Sequence, residues 1–108
     1  MPVAQPTEQS WTKDTTPCEL QNIRDILEQR KCRYGVFANH AEISQTLKNT
    51  MHETPGWLHL SESQRESLEM IAHKIARILN GDPTYSDNWT DIAGYATLVE
   101  QELNGEFL

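Results

Sequence analysis

Acidic side chains recur at helical spacing in the C-terminal half of the sequence, and their chemistry suits a metal ion. Glu66 and Glu69 share one face of a predicted helix, and Asp87 and Asp91 lie at the start of the next helix. Helical bundles commonly build metal sites from carboxylates on facing helices. Mg²⁺ prefers a few carboxylates together with phosphate oxygens. We therefore expect these four acids to be candidate ligands for Mg²⁺.

The same acids also have a simpler interpretation, as a solvated helix face and a helix start. Glu69 lies four residues before His73, which is the spacing of an ordinary charge pair within a helix. Asp87 or Ser86 could serve as a helix N-cap, and the helix dipole favours an acid at Asp91 one turn later. The residue pattern leaves both interpretations open.

The surroundings of Asp91 raise a separate question about its partner. Trp89 and Ile92 flank this residue, so its carboxylate is expected near the boundary of the core. A carboxylate in that position needs a partner that offsets its desolvation. Lys74 and Arg77, on the preceding predicted helix, are the expected partners.

Four predicted helices position these residues. Apolar residues recur at helical spacing in four segments, and capping sequences at residues 16–19 and 61–64 mark the starts of the first and third. The expected helices cover about 17–33, 37–51, 62–80 and 87–104. No strand pattern appears, so we expect an all-α antiparallel bundle with short loops. This domain would comprise residues 16–108 and follow a flexible leader at residues 1–15.

Gly94 lies inside the fourth predicted helix, where a glycine costs about 1 kcal/mol relative to alanine. A close approach to another helix, in the same chain or in another subunit, would account for that cost. We therefore expect Gly94 at a helix–helix contact.

The charge balance argues against a nucleic-acid-binding protein. The chain has 108 residues, with nine Lys and Arg against sixteen Asp and Glu, and its formal net charge is −7. Because nucleic-acid backbones need a basic surface, nucleic acid is not an expected partner. The sequence contains no apolar run of about 18 residues, so we expect no membrane span.

The two cysteines, Cys18 and Cys32, fall at the two ends of the first predicted helix. A helix between them would span about 21 Å, which is far beyond the reach of a disulfide. We therefore expect reduced thiols and a cytoplasmic protein.

Two segments resemble a known family. KIARILNGDPTYSDNWTDIAGYATL, residues 74–98, resembles the C-terminal half of a family of small phage and prophage proteins, and RYGVF, residues 33–37, resembles the element after that family's first helix. The family is distantly similar to the MazG-like, all-α nucleoside triphosphate pyrophosphohydrolases. The resemblance covers roughly residues 20–103.

The resemblance implies a metal site and an assembly. Enzymes of the wider superfamily form dimers or tetramers, and they hold Mg²⁺ through a Glu-x-x-Glu on one helix and a Glu-x-x-Asp on the next. Glu66 and Glu69 match the first element, and Asp91 matches the last acid of the second. The sequence departs from the pattern at Asn88, where the family has Glu, and offers Asp87 as the additional acid.

The resemblance also implies roles in the binding and hydrolysis of a nucleotide. Glu66 or Glu69 would orient or deprotonate the attacking water. Lys74 and Arg77 would pair with phosphate oxygens. Candidates for stacking a base are Tyr34, Trp89 and Tyr95. Their alternative role is core packing.

Three functions remain open on the sequence. A metal-dependent enzyme would cleave nucleoside triphosphates to monophosphate and pyrophosphate in phage nucleotide metabolism. A nucleotide-binding protein without turnover would sequester or sense a nucleotide. A small acidic helical module would instead bind a basic surface of a host or phage protein. The resemblance places the protein in the cytoplasm of a bacterial host, as a homo-oligomer.

Overall fold

Residues 22–106 are described by a computed structural model and form four α-helices joined by short connections. The helices are α1 (Ile23–Tyr34), α2 (Phe37–His52), α3 (Glu62–Asn80) and α4 (Ser86–Leu103), and a short 3₁₀ helix, Pro55–His59, follows α2. No strand occurs among residues 22–106, so the expected all-α bundle is confirmed. None of the helices in this part of the chain is both long and apolar enough to cross a membrane.

The helix α3 is the centre of the bundle. Both α2 and α4 pack along it, and α1 contacts α2 and α3. The bundle is elongated, with principal extents of 50 × 30 × 22 Å. Its smallest dimension is about two helix diameters, so the helices form a thin bundle along α3.

The apolar face of α3 is only partly buried. Ala72 and Ala76 are the buried apolar residues of the described chain, and their small side chains let neighbouring helices approach closely. Leu68, Ile75 and Leu79 recur at helical spacing on the same helix, and each is more than a third exposed. Residues 22–106 therefore leave an apolar stripe of their central helix uncovered.

The expected start and end of α3 are confirmed. The Ser61 hydroxyl accepts a hydrogen bond from the Gln64 N–H at 3.2 Å, and the Gln64 side chain accepts one from the Ser61 N–H at 2.8 Å. These reciprocal bonds form a capping box, which satisfies two amides at the helix start. The helix ends at Asn80, directly before Gly81.

The start of α1 differs from the expectation. The helix begins at Ile23, and the Asn22 side chain caps it by accepting a hydrogen bond from the Asp25 N–H at 3.0 Å. The expected capping sequence at residues 16–19 and the expected leader at residues 1–15 lie outside the described residues.

The expectation of reduced cysteines is tested at one of the two positions. Cys32 is an exposed free thiol in α1, as expected. Cys18 lies outside the described residues.

The helix α4 starts near Asp87, as expected, but its N-cap differs from the expectation. Its N-cap is Tyr85, which makes no side-chain capping hydrogen bond. Ser86 and Asp87 lie inside the first turn of the helix, so their expected role as the N-cap is wrong. An acid within the first turn still interacts favourably with the helix dipole.

The corner between α1 and α2 is locked onto the end of α3. Gly35 has a φ of +80°, and its N–H donates to the Lys31 carbonyl at 2.8 Å. The Asn80 side chain donates hydrogen bonds to the carbonyls of Tyr34 at 2.8 Å and Val36 at 3.0 Å. A Cβ on Gly35 would overlap the Asn80 carbonyl, so the corner requires glycine. The corner thereby fixes the backbone of Tyr34 against α3.

Gly94 is exposed on α4. Apart from its chain neighbours and the nearby backbone of α4 itself, no atom of the described chain lies within 4 Å of the position that a Cβ would take. The expected close approach is therefore not made within residues 22–106, and a contact with another subunit stays a prediction.

Candidate functional site

A cavity of about 580 Å³ lies between the C-terminal half of α1, the start of α2 and the C-terminal half of α3. We call it the basic cavity. Its polar and aromatic lining residues are Arg30, Lys31, Tyr34, Phe37, His40, His73 and Arg77. No Asp or Glu of the described chain lines it, although the protein carries a net charge of −7. The cavity therefore concentrates positive charge in an acidic protein.

Arg77 is held at the basic cavity by aromatic packing. Its Cζ atom lies 4.2 Å from the centroid of the Tyr34 ring, which is a cation–π arrangement. The Tyr34 ring in turn meets the Tyr85 ring edge to face, with centroids 6.1 Å apart. Within residues 22–106, Arg77 forms no ion pair with a carboxylate. Its guanidinium is therefore positioned without being neutralised.

His40 and His73, which we call the histidine pair, also line the basic cavity. His40 is only 5% exposed, and the two rings meet at a centroid distance of 4.6 Å and an angle of 82°. Burial, followed by the charge of Arg77, lowers the pKa of both imidazoles, that of His73 to about 4. Both rings are therefore neutral near pH 7. The Nδ1 atom of His40 is buried and has no hydrogen-bond partner in the described chain.

A second cavity, of about 440 Å³, lies between the start of α3 and the end of α4. We call it the acidic cavity. Glu62 and Glu66 line it from α3, and Glu102 and Glu106 line it from the opposite side. Two serines of α3 and Tyr95 with aliphatic residues of α4 complete the lining, which contains no Lys or Arg of the described chain. This cavity is therefore negatively charged.

Two of the four predicted metal ligands are engaged in separate contacts on either side of α3. Glu69 contacts His52 at 2.6 Å, toward α2. Asp91 pairs with Lys74 at 2.9 Å, between α4 and α3. This contact confirms that the Asp91 carboxylate has one of its two expected partners.

The other two predicted ligands lie elsewhere. Asp87 accepts a hydrogen bond from the Tyr85 hydroxyl at 2.9 Å, and Glu66 lines the acidic cavity. Among residues 22–106, no group of three or more His, Cys, Asp or Glu side chains is placed to hold a metal ion. As these side chains lie, the expected ligands do not form one Mg²⁺ site.

The residues predicted to bind phosphate and to stack a base are divided between several places. Arg77 and Tyr34 meet at the basic cavity. Lys74 is engaged with its carboxylate partner, and its side chain is only 11% exposed. Trp89 is exposed, and its indole N–H donates to a carbonyl in the preceding loop at 2.9 Å. Tyr95 lines the acidic cavity.

Sequence reasoning missed Arg30, Lys31, Phe37 and His40, which all line the basic cavity. One signal was present in the spacing, since Phe37 and His40 lie three residues apart on one helical face. The histidines have no zinc-ligand spacing, so the sequence offered no reason to place them in a site. The corner at Gly35, which brings α1 and α2 together around the cavity, could not be read from spacing along a single helix.

A protein-family model described as Domain of unknown function (DUF6378) matches residues 20–103. The comparison with curated proteins and the comparison with solved structures each found no match. The matched range contains all four helices and every residue that lines the basic cavity. Because the match covers most of the chain, the protein belongs to the DUF6378 family.

Proposed function

We propose that this protein binds a nucleotide in the basic cavity. The observation that carries the proposal is the combination of three cationic residues, two aromatic residues and no carboxylate of residues 22–106 around one cavity. A nucleotide carries both an anionic phosphate and a flat apolar base, and the lining of this cavity suits both parts.

The size of the basic cavity supports a small-molecule ligand. Its volume of about 580 Å³ falls within the range of about 300–1,000 Å³ that is usual for small-molecule sites. Phe37 is largely exposed at its edge, where it offers a face for a base. Arg77 is already ordered against Tyr34, so little side-chain entropy is lost when it pairs with a phosphate.

Electrostatics supports an anionic ligand at this place rather than elsewhere on the surface. With a net charge of −7, most of the protein repels anions. Arg30 and Lys31 from α1 and Arg77 from α3 instead face a shared cavity, and no acid of the described segment lines it. An arginine can pair with two phosphate oxygens at once, which gives geometric specificity as well as affinity.

The test is calorimetric titration of the protein with the adenosine and guanosine phosphates, with and without Mg²⁺, and with the free nucleosides as controls. Arg30→Met should weaken nucleotide binding about tenfold, because one charge-assisted contact is lost. Arg24→Met is the matched control, since Arg24 is an exposed arginine on the same helix that does not line the cavity. Absence of binding for every nucleotide, or equal weakening by both substitutions, would contradict the proposal.

Magnesium-dependent hydrolysis, which the resemblance to MazG-like enzymes implies, stays a prediction. The proposed binding does not depend on it, because the basic cavity contains no predicted metal ligand. Release of pyrophosphate from a nucleoside triphosphate with Mg²⁺ measures it directly. Turnover by the wild-type protein that is lost in Glu69→Gln and Asp91→Asn would identify the protein as an enzyme. Binding without turnover would instead support a nucleotide-binding protein that does not hydrolyse its ligand.

We also propose that the chain assembles with copies of itself. The support is the uncovered apolar stripe of α3, because exposed apolar patches of this kind usually mark an interface. Analytical ultracentrifugation should detect a dimer or tetramer that Ile75→Glu dissociates. Leu58→Glu is the control, since Leu58 is exposed outside this stripe. A wild-type monomer at all concentrations would contradict the assembly.

The acidic cavity supports a second candidate function, the binding of a basic protein. Glu62, Glu66, Glu102 and Glu106 surround an apolar floor, which suits the long side chain of a lysine or arginine. A lysine-rich peptide should bind there, more weakly at high salt and more weakly to Glu62→Gln. Binding that neither change affects would count against this candidate.

A further inference from the structure

We propose that the basic cavity recognises a doubly charged terminal phosphate, and that it takes up one proton as this group binds. The inference rests on the proposed nucleotide binding and adds the chemical class of the ligand's anionic end. That class is a phosphomonoester rather than a phosphodiester. Three features of the cavity support it: its uncompensated cations, the uncapped start of α2 and the histidine pair.

The start of α2 adds a second kind of anion contact to the cationic side chains. Its N-cap is Val36, and no side chain caps the first turn. Val36 and Phe37 both line the cavity, so the helix begins at its wall. Unpaired amides at a helix N-terminus carry partial positive charge and bind phosphates. The amides and the three cations together supply more positive charge than is required to neutralise a singly charged anion.

The histidine pair accounts for the proton. The charged groups that act on its rings are Arg77 and Lys74 on α3 and Lys48 on α2, and Arg30 and Lys31 line the cavity from α1. All of them are cationic, so they oppose protonation of the free protein. An arriving dianion offsets part of this positive charge, and so favours an imidazolium more than the free protein does.

The stoichiometry follows from the distance between the two rings. Their centroids are 4.6 Å apart. Two positive charges at such a distance repel each other by about 4 kcal/mol at an effective dielectric constant of about 20. The pair therefore accepts at most one proton for each bound ligand.

A matched pair of ligands tests the chemical class. Adenosine 5′-monophosphate and its 3′,5′-cyclic diester share the base and the ribose. Near pH 7 the monoester is largely doubly charged, since its second pKa is about 6, whereas the diester carries a single charge. We expect calorimetry with wild-type protein at about pH 7 to show at least about tenfold tighter binding of the monoester. Equal affinities would overturn the inference.

Proton uptake is measured in the same experiment with buffers of different ionisation enthalpy. Binding of the monoester should be accompanied by the uptake of at least about half a proton by the protein. The ligand is already almost fully ionised at this pH, so it releases few protons that would offset this uptake. His40→Asn and His73→Asn should bind the monoester more weakly, and each should change the uptake. His59→Asn is the matched control, because His59 is exposed on the 3₁₀ helix outside the cavity. No net uptake by wild-type protein would overturn the inference.

The failure of this inference can be told from the failure of the proposed function. If the monoester and the diester bind equally in the basic cavity, nucleotide binding stands and the charge recognition is wrong. If the monoester, the diester and adenosine all give no binding heat and no thermal stabilisation, both proposals fail together.

Discussion

The basic and the acidic cavities lie toward opposite ends of the same helix, and the comparison between them shows how one helix presents two kinds of site. Glu62 and Glu66 lie near the start of α3, whereas His73 and Arg77 lie near its end. This order follows the helix dipole, which favours acids in the first turns and bases in the last. The interaction of side chains with the helix dipole therefore already favours acidic residues at the start of α3 and basic residues at its end.

The segments that face α3 determine the charge of the cavity at each of its ends. At the acidic cavity the opposite wall adds Glu102 and Glu106, and at the basic cavity α1 adds Arg30 and Lys31. In both places the second wall repeats the charge of α3 instead of neutralising it. Like charges that face one cavity repel each other, and a ligand of the opposite sign relieves that repulsion. The comparison therefore predicts an anion at one end and a cation at the other.

The largest expected effect concerns two glycines, one beside each cavity. Gly35→Ala should lower the free energy of unfolding by about 3 kcal/mol, because the φ of +80° disfavours any side chain and the Asn80 carbonyl blocks the Cβ. Gly105, next to the acidic cavity, has the same φ, but no described atom beyond its chain neighbours lies within 4 Å of its Cβ position. Gly105→Ala should therefore cost only about 1 kcal/mol. Urea denaturation measures both, and equal losses would show that the locked corner is not the cause.

The next effect concerns ligand binding at the basic cavity. Arg77→Met should weaken nucleotide binding about 50-fold, or about 2.3 kcal/mol, because a charge-assisted contact to phosphate is lost. Glu66→Gln, in the acidic cavity of the same helix, should change the affinity by less than about threefold. Calorimetry of the two variants measures the contrast. The comparison fails if Glu66→Gln alters nucleotide binding as strongly as Arg77→Met does.

The pH dependence of stability separates the two cavities through the histidine pair. The folded-state pKa of His73 is about 4, against an ordinary value of 6.5, so the unfolded chain binds this proton first as the pH falls. The free energy of unfolding should therefore decrease by about 2.5 kcal/mol between about pH 6.5 and about pH 4 through this residue alone. His73→Gln removes that contribution and should flatten the curve over the same window. Parallel curves for the wild-type protein and the variant would refute the assignment.

The smallest effect concerns the ion pair between α3 and α4. Asp91→Asn should lower the free energy of unfolding by about 1 kcal/mol, since it leaves the charge of the buried Lys74 without its partner. The Asp91 side chain is 46% exposed, so solvent screening keeps the loss small. Asp91→Asn should leave nucleotide affinity unchanged, because this pair does not line the basic cavity. A drop in affinity without a drop in stability would instead favour the metal-ligand role of Asp91.

The fold could be predicted from the sequence where local chemistry decides it. The capping box at Ser61 and the stop at Gly81 depend on residues a few positions apart, and both are confirmed. The start of α4 near Asp87 is also confirmed, but its N-cap is not, because Ser86 and Asp87 suit a cap by residue type, whereas Tyr85 occupies that position. Residue preference at a helix start therefore predicts the region of the start and leaves its first residue open.

The candidate site could be predicted only in part. Arg77 and Tyr34 were named as ligand-binding residues, and they do meet at one cavity. The expected convergence of Glu66, Glu69 and Asp91 did not appear, because helical spacing shows which residues share a face of one helix and cannot show which faces of two helices meet. Each of these acids instead lies beside a different neighbour.

The most direct test of the central claim is a titration of isotope-labelled protein with adenosine 5′-monophosphate, followed by backbone amide NMR. Binding in the basic cavity predicts the largest shifts at residues 30–40 and 73–77, and small shifts at residues 62–66 and 95–106. Shifts centred on the second pair of segments, or no shifts at saturating ligand, would contradict the account.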